Sequence, residues 1–426
     1  MNRSRRPASP PTTARSAWSV ARLVLVVALL VAALPGSTLA ARPIIEPPPP
    51  VSAKLAAKLQ AVLDKNVLRR PLAGVSAAVV MPDGSLWAGA SGLANVGKGR
   101  PMRPRTAIAV GSITKTFIAS VVLQLQEEGA LTIDDRLSRF LPSYPNAAGI
   151  TLKELLSHTS GLFDYFMAPE YESRVFGRPH HVWTTPEILS MVHRPYYAPG
   201  AGYTYSNTNY VLLGQVIRTV TGHDPAVEIR RRFLDPLGLT RTELQGHEPI
   251  TMSGALGYLW TGSAWAGLAD GTRFRPNTSA ATVADTAGSM LSTATDIARW
   301  GDALYGGQVL QPASLVAMET RSKYEPYGLG ARRYRIAKHG PVIWGHGGSL
   351  RGSEALLWHL AAEDLTVVII ANRGRISLES MAKVMIHKAL AAREPPPPSP
   401  APVQDPAPER GLLRDGVRMR ARGRRS

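Results

Sequence analysis

Leu55, Leu59, Val62 and Leu63 recur at steps of three and four residues, which places them on one face of a helix beginning near Ser52. Residues 74–81 (Gly-Val-Ser-Ala-Ala-Val-Val-Met) form an apolar run. Pro82-Asp83-Gly84 then supplies a tight turn and residues 85–91 the return strand. Residues 92–105 lack an apolar period and predict a basic loop. After Gly111, the residues Phe117, Ile118, Val121, Val122 and Leu125 resume helical spacing. Helical periods and loops dominate from there to about Thr282. Residues 155–162 read as a helix end turning at Gly161, with His158 a hydrogen-bonded turn residue. Residues 210–220 read as a buried helix closed by Gly222. Thr132 with Asp135, and Thr293 with Asp296, have the spacing of capping pairs.

Beyond Val283 strands return. Residues 296–305 predict one more helix. Residues 327–329, 342–346, 355–359 and 366–371 predict strands, the last (Thr-Val-Val-Ile-Ile-Ala) a central one. Residues 377–392 close the body as a helix. A helix and hairpin in front, strands and a helix behind, and a helical stretch between them predict a mixed α+β fold. Its antiparallel sheet joins N- and C-terminal parts of a body spanning 52–393, flanked by helices. The helical stretch, about 115–282, is an inserted domain.

Charge changes the picture mainly at the ends. The chain has 426 residues and a formal charge of +18. Arg3, Arg5, Arg6, Arg15 and Arg22 precede an apolar run from Leu23 to Leu34, broken by Pro35-Gly36 and followed by the small residues of Thr38-Leu39-Ala40. This pattern predicts an export signal over 1–40 and a periplasmic or secreted protein, with an uncleaved N-terminal membrane anchor as the alternative. The apolar run is short for a membrane span, and no integral span is expected once the signal is cleaved. A proline-rich linker (41–51) leads into the body. A second one opens a tail over 394–426, whose last eighteen residues carry seven arginines against Glu409 and Asp415. That tail reads as a solvated, disordered end, with an anionic envelope surface as its alternative contact. With the charge concentrated there, nucleic-acid binding has no support from the body. The absence of cysteine excludes disulfides, a cysteine nucleophile and thiolate metal sites.

Three short motifs in the body carry candidate chemistry, and each has a competing copy. Ser112-x-x-Lys115 places a hydroxyl and an amine one helical turn apart, behind a glycine that frees the Ser112 N–H for an oxyanion. Taken alone, Ser112 reads as a helix cap before it reads as a nucleophile. The copy Ser380-x-x-Lys383 lies inside the closing helix, where the N–H belongs to the helix ladder. Tyr205-Ser206-Asn207 puts a phenol and an amide on one side of an extended segment before a buried helix. Its copy, Tyr144-Pro145-Asn146, is a turn. His346-Gly347-Gly348 is followed by Ser349, which has an N–H for an oxyanion, whereas Lys338-His339-Gly340 is followed by Pro341, which has none.

In this order the three motifs resemble the class C β-lactamase family with its relatives, the serine D-Ala-D-Ala carboxypeptidases and family esterases. Flanking residues 111–117, 155–162, 205–214, 287–300 and 345–348 extend the resemblance, which covers about 52–392. The resemblance implies a serine hydrolase fold and an acyl-enzyme on Ser112. Lys115 and Tyr205 would activate the serine and shuttle protons. Asn207 would orient Lys115 and contact a substrate amide, and the N–H groups of Ser112 and Ser349 would hold the oxyanion. His346 and Gly348 would line the substrate side. The implied partner is a small-molecule, ester or cell-wall peptide substrate, with no cofactor and no metal. Two departures stand out. His346 replaces a common lysine and Gly347 a common threonine, weakening recognition of a substrate carboxylate. The expectation is a carboxypeptidase or esterase before an efficient β-lactamase. The alternative is a sensor-like penicillin-binding protein that is acylated without turnover. A Gly-x-Ser-x-Gly elbow and a His-Glu-x-x-His motif are both absent, which disfavours an ordinary α/β-hydrolase and a zinc hydrolase.

Overall fold

Strands buried on both faces read as uninterrupted apolar runs, and two such runs from opposite ends of the chain meet here. The computed structural model describes residues 48–336 and 340–392. The export-signal and tail readings, and His339 of the competing histidine copy, lie outside the described residues. Helix α1 (Ala53–Arg69) begins at Ser52, whose Oγ accepts the Leu55 N–H at 3.3 Å. Strands β1 (Gly74–Val80) and β2 (Leu86–Asn95) form the expected hairpin, its turn closed by Asp83 accepting from Ser85 N–H. At the other end, β4 (Arg332–Arg335), β5 (Val342–Leu350), β6 (Ser353–Leu360) and β7 (Leu365–Ala371) follow one another as an antiparallel meander.

The two ends join where β1 pairs antiparallel with β7, Ala77 opposite Ile369. With β3 (Arg100–Pro101) on the outer edge, the seven-stranded order is β3-β2-β1-β7-β6-β5-β4. Side chains alternate across this junction. Val367 and Ile369 join the core beneath α1, while Val368 and Ile370 join the core on the opposite face. Helix α1 and the closing helix (Glu379–Leu390) cover one face of the sheet, and helix Ala294–Tyr305 covers the other.

Between front and back run the helices that position the site, α2 (Thr114–Glu127) and α3 (Asn207–Thr221), with α4 (Ala294–Tyr305) behind them. Gly222, at φ +73°, ends α3. Thr293 caps α4 by accepting the Asp296 N–H at 3.1 Å.

Four local expectations are corrected. Residues 92–105 are not one loop, because β2 continues through Gly92 to Asn95 and pairs with β3. The three residues past Gly92 are too few to show an alternation. Residues 327–329 are not a strand. Tyr327 makes an isolated bridge to Arg332, and the edge strand is β4, whose Arg-Arg-Tyr-Arg sequence has no apolar alternation to reveal it. Asp135 accepts from the Thr132 N–H but closes a turn, with no α-helix following. The inserted stretch also carries short strands, Glu243–Leu244 and a hairpin of Tyr258–Trp260 with Trp265–Gly267, too short for periodicity to show.

Candidate active site

Ser112 is placed by a turn stapled on three sides. Val110 N–H donates to Met290 O at 3.0 Å, and Thr114 Oγ donates to Gly111 O at 2.7 Å while accepting from Met290 N–H. Gly111 sits at φ +54°, and Gly111–Ile113 form a single 3-10 turn that runs directly into α2. Ser112 therefore precedes the helix proper and stays part-exposed. The first turn of α2 is fixed by Phe117 stacked 3.8 Å from Trp300, whose Nε1–H donates to Thr116 Oγ1 at 2.8 Å.

One turn further on, Lys115 is fully buried. Its Nζ lies 3.1 Å from Ser112 Oγ, 2.8 Å from Asn207 Oδ1 and 2.6 Å from Ala287 O. Burial pulls its pKa down to about 7, and the charge of Asp164 opposes the fall. In the neutral form, the Asn207 and Ala287 oxygens take the two N–H bonds. The lone pair is then left for the Ser112 hydroxyl. Two of these partners escape a sequence reading. Ala287 acts through its backbone, and Asp164 lies in an irregular loop with no motif around it. Asp164 accepts from Asn207 N–H at 3.1 Å and from Asn207 Nδ2 at 3.1 and 3.2 Å, which turns Oδ1 toward Lys115.

Tyr205 stands across from Ser112. Its ring lies 4.9 Å from Lys115 Nζ and its hydroxyl is buried. Burial holds the phenol well above its ordinary pKa. Ser112 opposes that rise, although the phenol oxygen completes no hydrogen bond among the described residues. Behind Tyr205 sits His158, at φ +59°, with ring centroids 4.1 Å apart. His158 Nδ1 accepts from Ser206 N–H at 3.2 Å, so this histidine supports the tyrosine segment from its turn.

The third wall is β5, in backbone contact with the Ser112 turn. A Cβ on Gly348 would lie 1.8 Å from Val110 O, and one on Gly111 would lie 2.7 Å from Ser349 N. Only glycine at both positions lets the Ser112 and Ser349 N–H groups approach one space. Gly347 is different, with nothing nearer than Tyr334 Oη at 3.6 Å. The buried His346 offers no free nitrogen. Nδ1 faces Gly347 O, which only accepts, so Nδ1 carries the proton, and Nε2 accepts from Tyr327 Oη–H at 2.9 Å. Burial, with the Lys115 charge, pushes its pKa down to about 3.

Ser112, Lys115, Tyr205, Asn207, His346, Gly348 and Ser349 are thus brought together at one cleft of about 680 Å³. Arg332, on β4 opposite Gly345, lines the same cleft. Its guanidinium reaches Tyr203 Oη at 3.5 Å and has no carboxylate partner among the described residues. The rival motifs are elsewhere. Ser380 accepts from Arg70 and Lys383 lies 3.9 Å from Glu379, while Asn146 occupies a left-handed turn. Among the described residues no cluster of three or more His, Asp or Glu could hold a metal.

Residues 55–389 match the beta-lactamase family. The chain belongs to the beta-lactamase family. Within it, the chain is similar to D-aminopeptidase from Cereibacter sphaeroides, 27% identical over 78% of this chain and 62% of that protein. It is also similar to esterase EstB from Burkholderia gladioli, 32% identical over 46% of this chain and 54% of that one. Both matches span less than two thirds of the curated relative. Among solved structures, D-amino acid amidase from Ochrobactrum anthropi SV3, complexed with L-phenylalanine amide, superposes with a TM-score of 0.70. It is 28% identical and covers 80% of this chain and 100% of that one.

Proposed function

We propose that this family member is a serine hydrolase that cleaves amide or ester bonds through an acyl-enzyme on Ser112. The observation that carries the reading is the fully buried Lys115, with a pKa near 7 and Ser112 Oγ at 3.1 Å. Neutral Lys115 takes the Ser112 proton as Oγ attacks the acyl carbonyl. The oxyanion gathers between the N–H groups of Ser112 and Ser349. Tyr205, whose phenol stays protonated, passes its proton to the leaving amine or alkoxide and regains one from Lys115. The acyl–Oγ bond formed is then broken by water. Water's proton goes to Lys115 and from there to the departing Ser112 Oγ, 3.1 Å away, so the acid leaves with both residues restored.

Within that class, a D-Ala-D-Ala-type carboxypeptidase or an esterase is the favoured reading, with a β-lactam as a further acyl donor. His346 is neutral, so it supplies no cation for a substrate carboxylate, but Arg332 places an unpaired one on the same cleft. D-configured amides fit the names of the D-aminopeptidase and the D-amino acid amidase. Export from the cytoplasm is part of the proposal and rests on the arginine-rich, apolar start of the chain.

The test is a fluorescent acylating probe followed by a panel of D-Ala-D-Ala peptides, short esters and a β-lactam. Labelling is expected to vanish in Ser112→Ala, and labelling that persists refutes the nucleophile. Arg332→Gln is expected to cost roughly 10-fold or more on carboxylate-bearing peptides and little on a neutral ester. Equal losses on both would remove Arg332 from recognition. An adduct that never decays with any donor would favour the non-turnover, sensor-like protein.

A further inference from the structure

The Ala287 carbonyl that holds Lys115 belongs to a short helix, Asp285–Gly288, and that helix begins under strain. Asp285 is a buried non-glycine residue at φ +43°. Its carboxylate is held from three directions. Oδ1 accepts from Thr286 N–H at 2.5 Å and faces His247 Nε2 at 2.9 Å, while Oδ2 accepts from Thr185 Oγ1–H at 2.9 Å. The other ring nitrogen of His247, Nδ1, lies 3.1 and 3.2 Å from the two oxygens of Asp224. Asp224 in turn pairs with Arg218 near the end of α3 and accepts from Ala226 N–H at 2.9 Å. Helix α3 begins at Asn207, the other oxygen that holds Lys115. The two acceptors that grip the lysine are therefore joined a second time, through Arg218, Asp224, His247 and Asp285.

Ionised carboxylates only accept hydrogen bonds, so both nitrogens of a histidine seated between two of them carry protons. That makes His247 a buried imidazolium with a 9% exposed side chain. The remaining charged groups nearby are accounted for. Glu248 is turned to Arg230 at 2.6 Å, and Arg218 serves Asp224. We propose that His247 is a positioning residue whose charged form holds the Asp285–Gly288 helix, so that the Ala287 carbonyl clamps Lys115, and whose deprotonation limits the activity on the alkaline side. The proposal rests on the reading of Lys115 as the base.

The direction with pH follows from the groups present. Burial opposes the charge on His247, but the hydrogen bonds and charges of Asp224 and Asp285 outweigh it and raise the pKa from 6.5 to about 9. A raised pKa means that the stabilisation is complete below the unfolded value of 6.5 and is lost as pH rises through about 9. The acid limb belongs to Lys115, near 7. Activity is thus bounded by two groups that do not touch each other.

The experiment measures kcat/KM on a neutral ester from pH 5 to 11 for the full chain, His247→Gln and Asp224→Asn, beside an NMR titration of the imidazole ring protons in Ser112→Ala. His247 is expected to titrate near pH 9. His247→Gln is expected to lose on the order of 10-fold to 100-fold in kcat at pH 8, with the limb near 9 gone. Asp224→Asn, which keeps the imidazole, is expected to move that limb downward by about one unit. It serves as the reading should His247→Gln fail to fold. A ring titrating near 6.5, or an alkaline limb unchanged in both variants, overturns the proposal. Absence of Ser112-dependent acylation in the full chain overturns the hydrolase reading instead, and the NMR titration still tests the charge on His247.

Discussion

Gly347 and Gly348 are neighbours on one strand, yet the structure assigns them opposite sensitivities. In Gly348→Ala the new Cβ would lie 1.8 Å from Val110 O, against the 3.4 Å or so of an ordinary contact. Backbone cannot rotate aside as a side chain does, so β5 and the Ser112 turn must separate by roughly 1.5 Å. The displaced atoms adjoin both N–H groups proposed to hold the oxyanion, because the same Cβ would sit 3.3 Å from Ser112 N. Loss of one such donor costs about 2.7–4 kcal/mol of transition-state stabilisation, so the acylation rate should fall by 100-fold to 1,000-fold. In Gly347→Ala the nearest atom is Tyr334 Oη at 3.6 Å, and the loss should stay within about fivefold. The assay is stopped-flow acylation by a chromogenic ester, with thermal melts on the same samples to separate catalysis from unfolding. A folded Gly348→Ala that acylates within threefold of the parent, or a Gly347→Ala as damaged as its neighbour, would refute the reasoning.

Two further outcomes follow from individual side chains. Because burial depresses the Lys115 pKa to about 7, the base is protonated and inactive below that value. Acylation by a substrate with no titrating group should rise with pH through about 7, and a rise centred near 10 would show an ordinary, solvated lysine. Thr293→Ala removes the cap of α4 and should cost about 1 kcal/mol in urea denaturation without changing the pH profile, since Asp296 also accepts from Arg241 N–H and Thr242 Oγ1.

The legible parts of the fold were those in which one face of an element is apolar over several turns or strand steps. Residues 55–63 placed α1 and residues 366–371 placed the central strand, because burial on a repeating geometry leaves a repeating pattern. β4 was missed because an edge strand with half-buried arginines needs no such pattern. For the site, the choice of Ser112 over Ser380 and of Tyr205 over Tyr144 followed from local context alone, since a glycine break or a proline-broken loop is a property of adjacent residues. Gly348, expected to line the substrate side, does border the cleft, but what its missing side chain makes room for is Val110 O, and it is Gly347 that leaves open space.

By itself the sequence determined the longer helices and strands, that the front and back of the chain share a sheet, and which serine, lysine and tyrosine stand at candidate positions. It carried this because backbone periodicity, turn chemistry and motif spacing are written in neighbouring residues. Only the tertiary structure decided how acidic Lys115 is, that Asp164 orients Asn207, that Ala287 lends a carbonyl, and that Arg332 rather than His346 brings the cation to the cleft. Desolvation and close approach between residues 43 to 172 positions apart have no local signature; they arise when the helices and strands close around a common space.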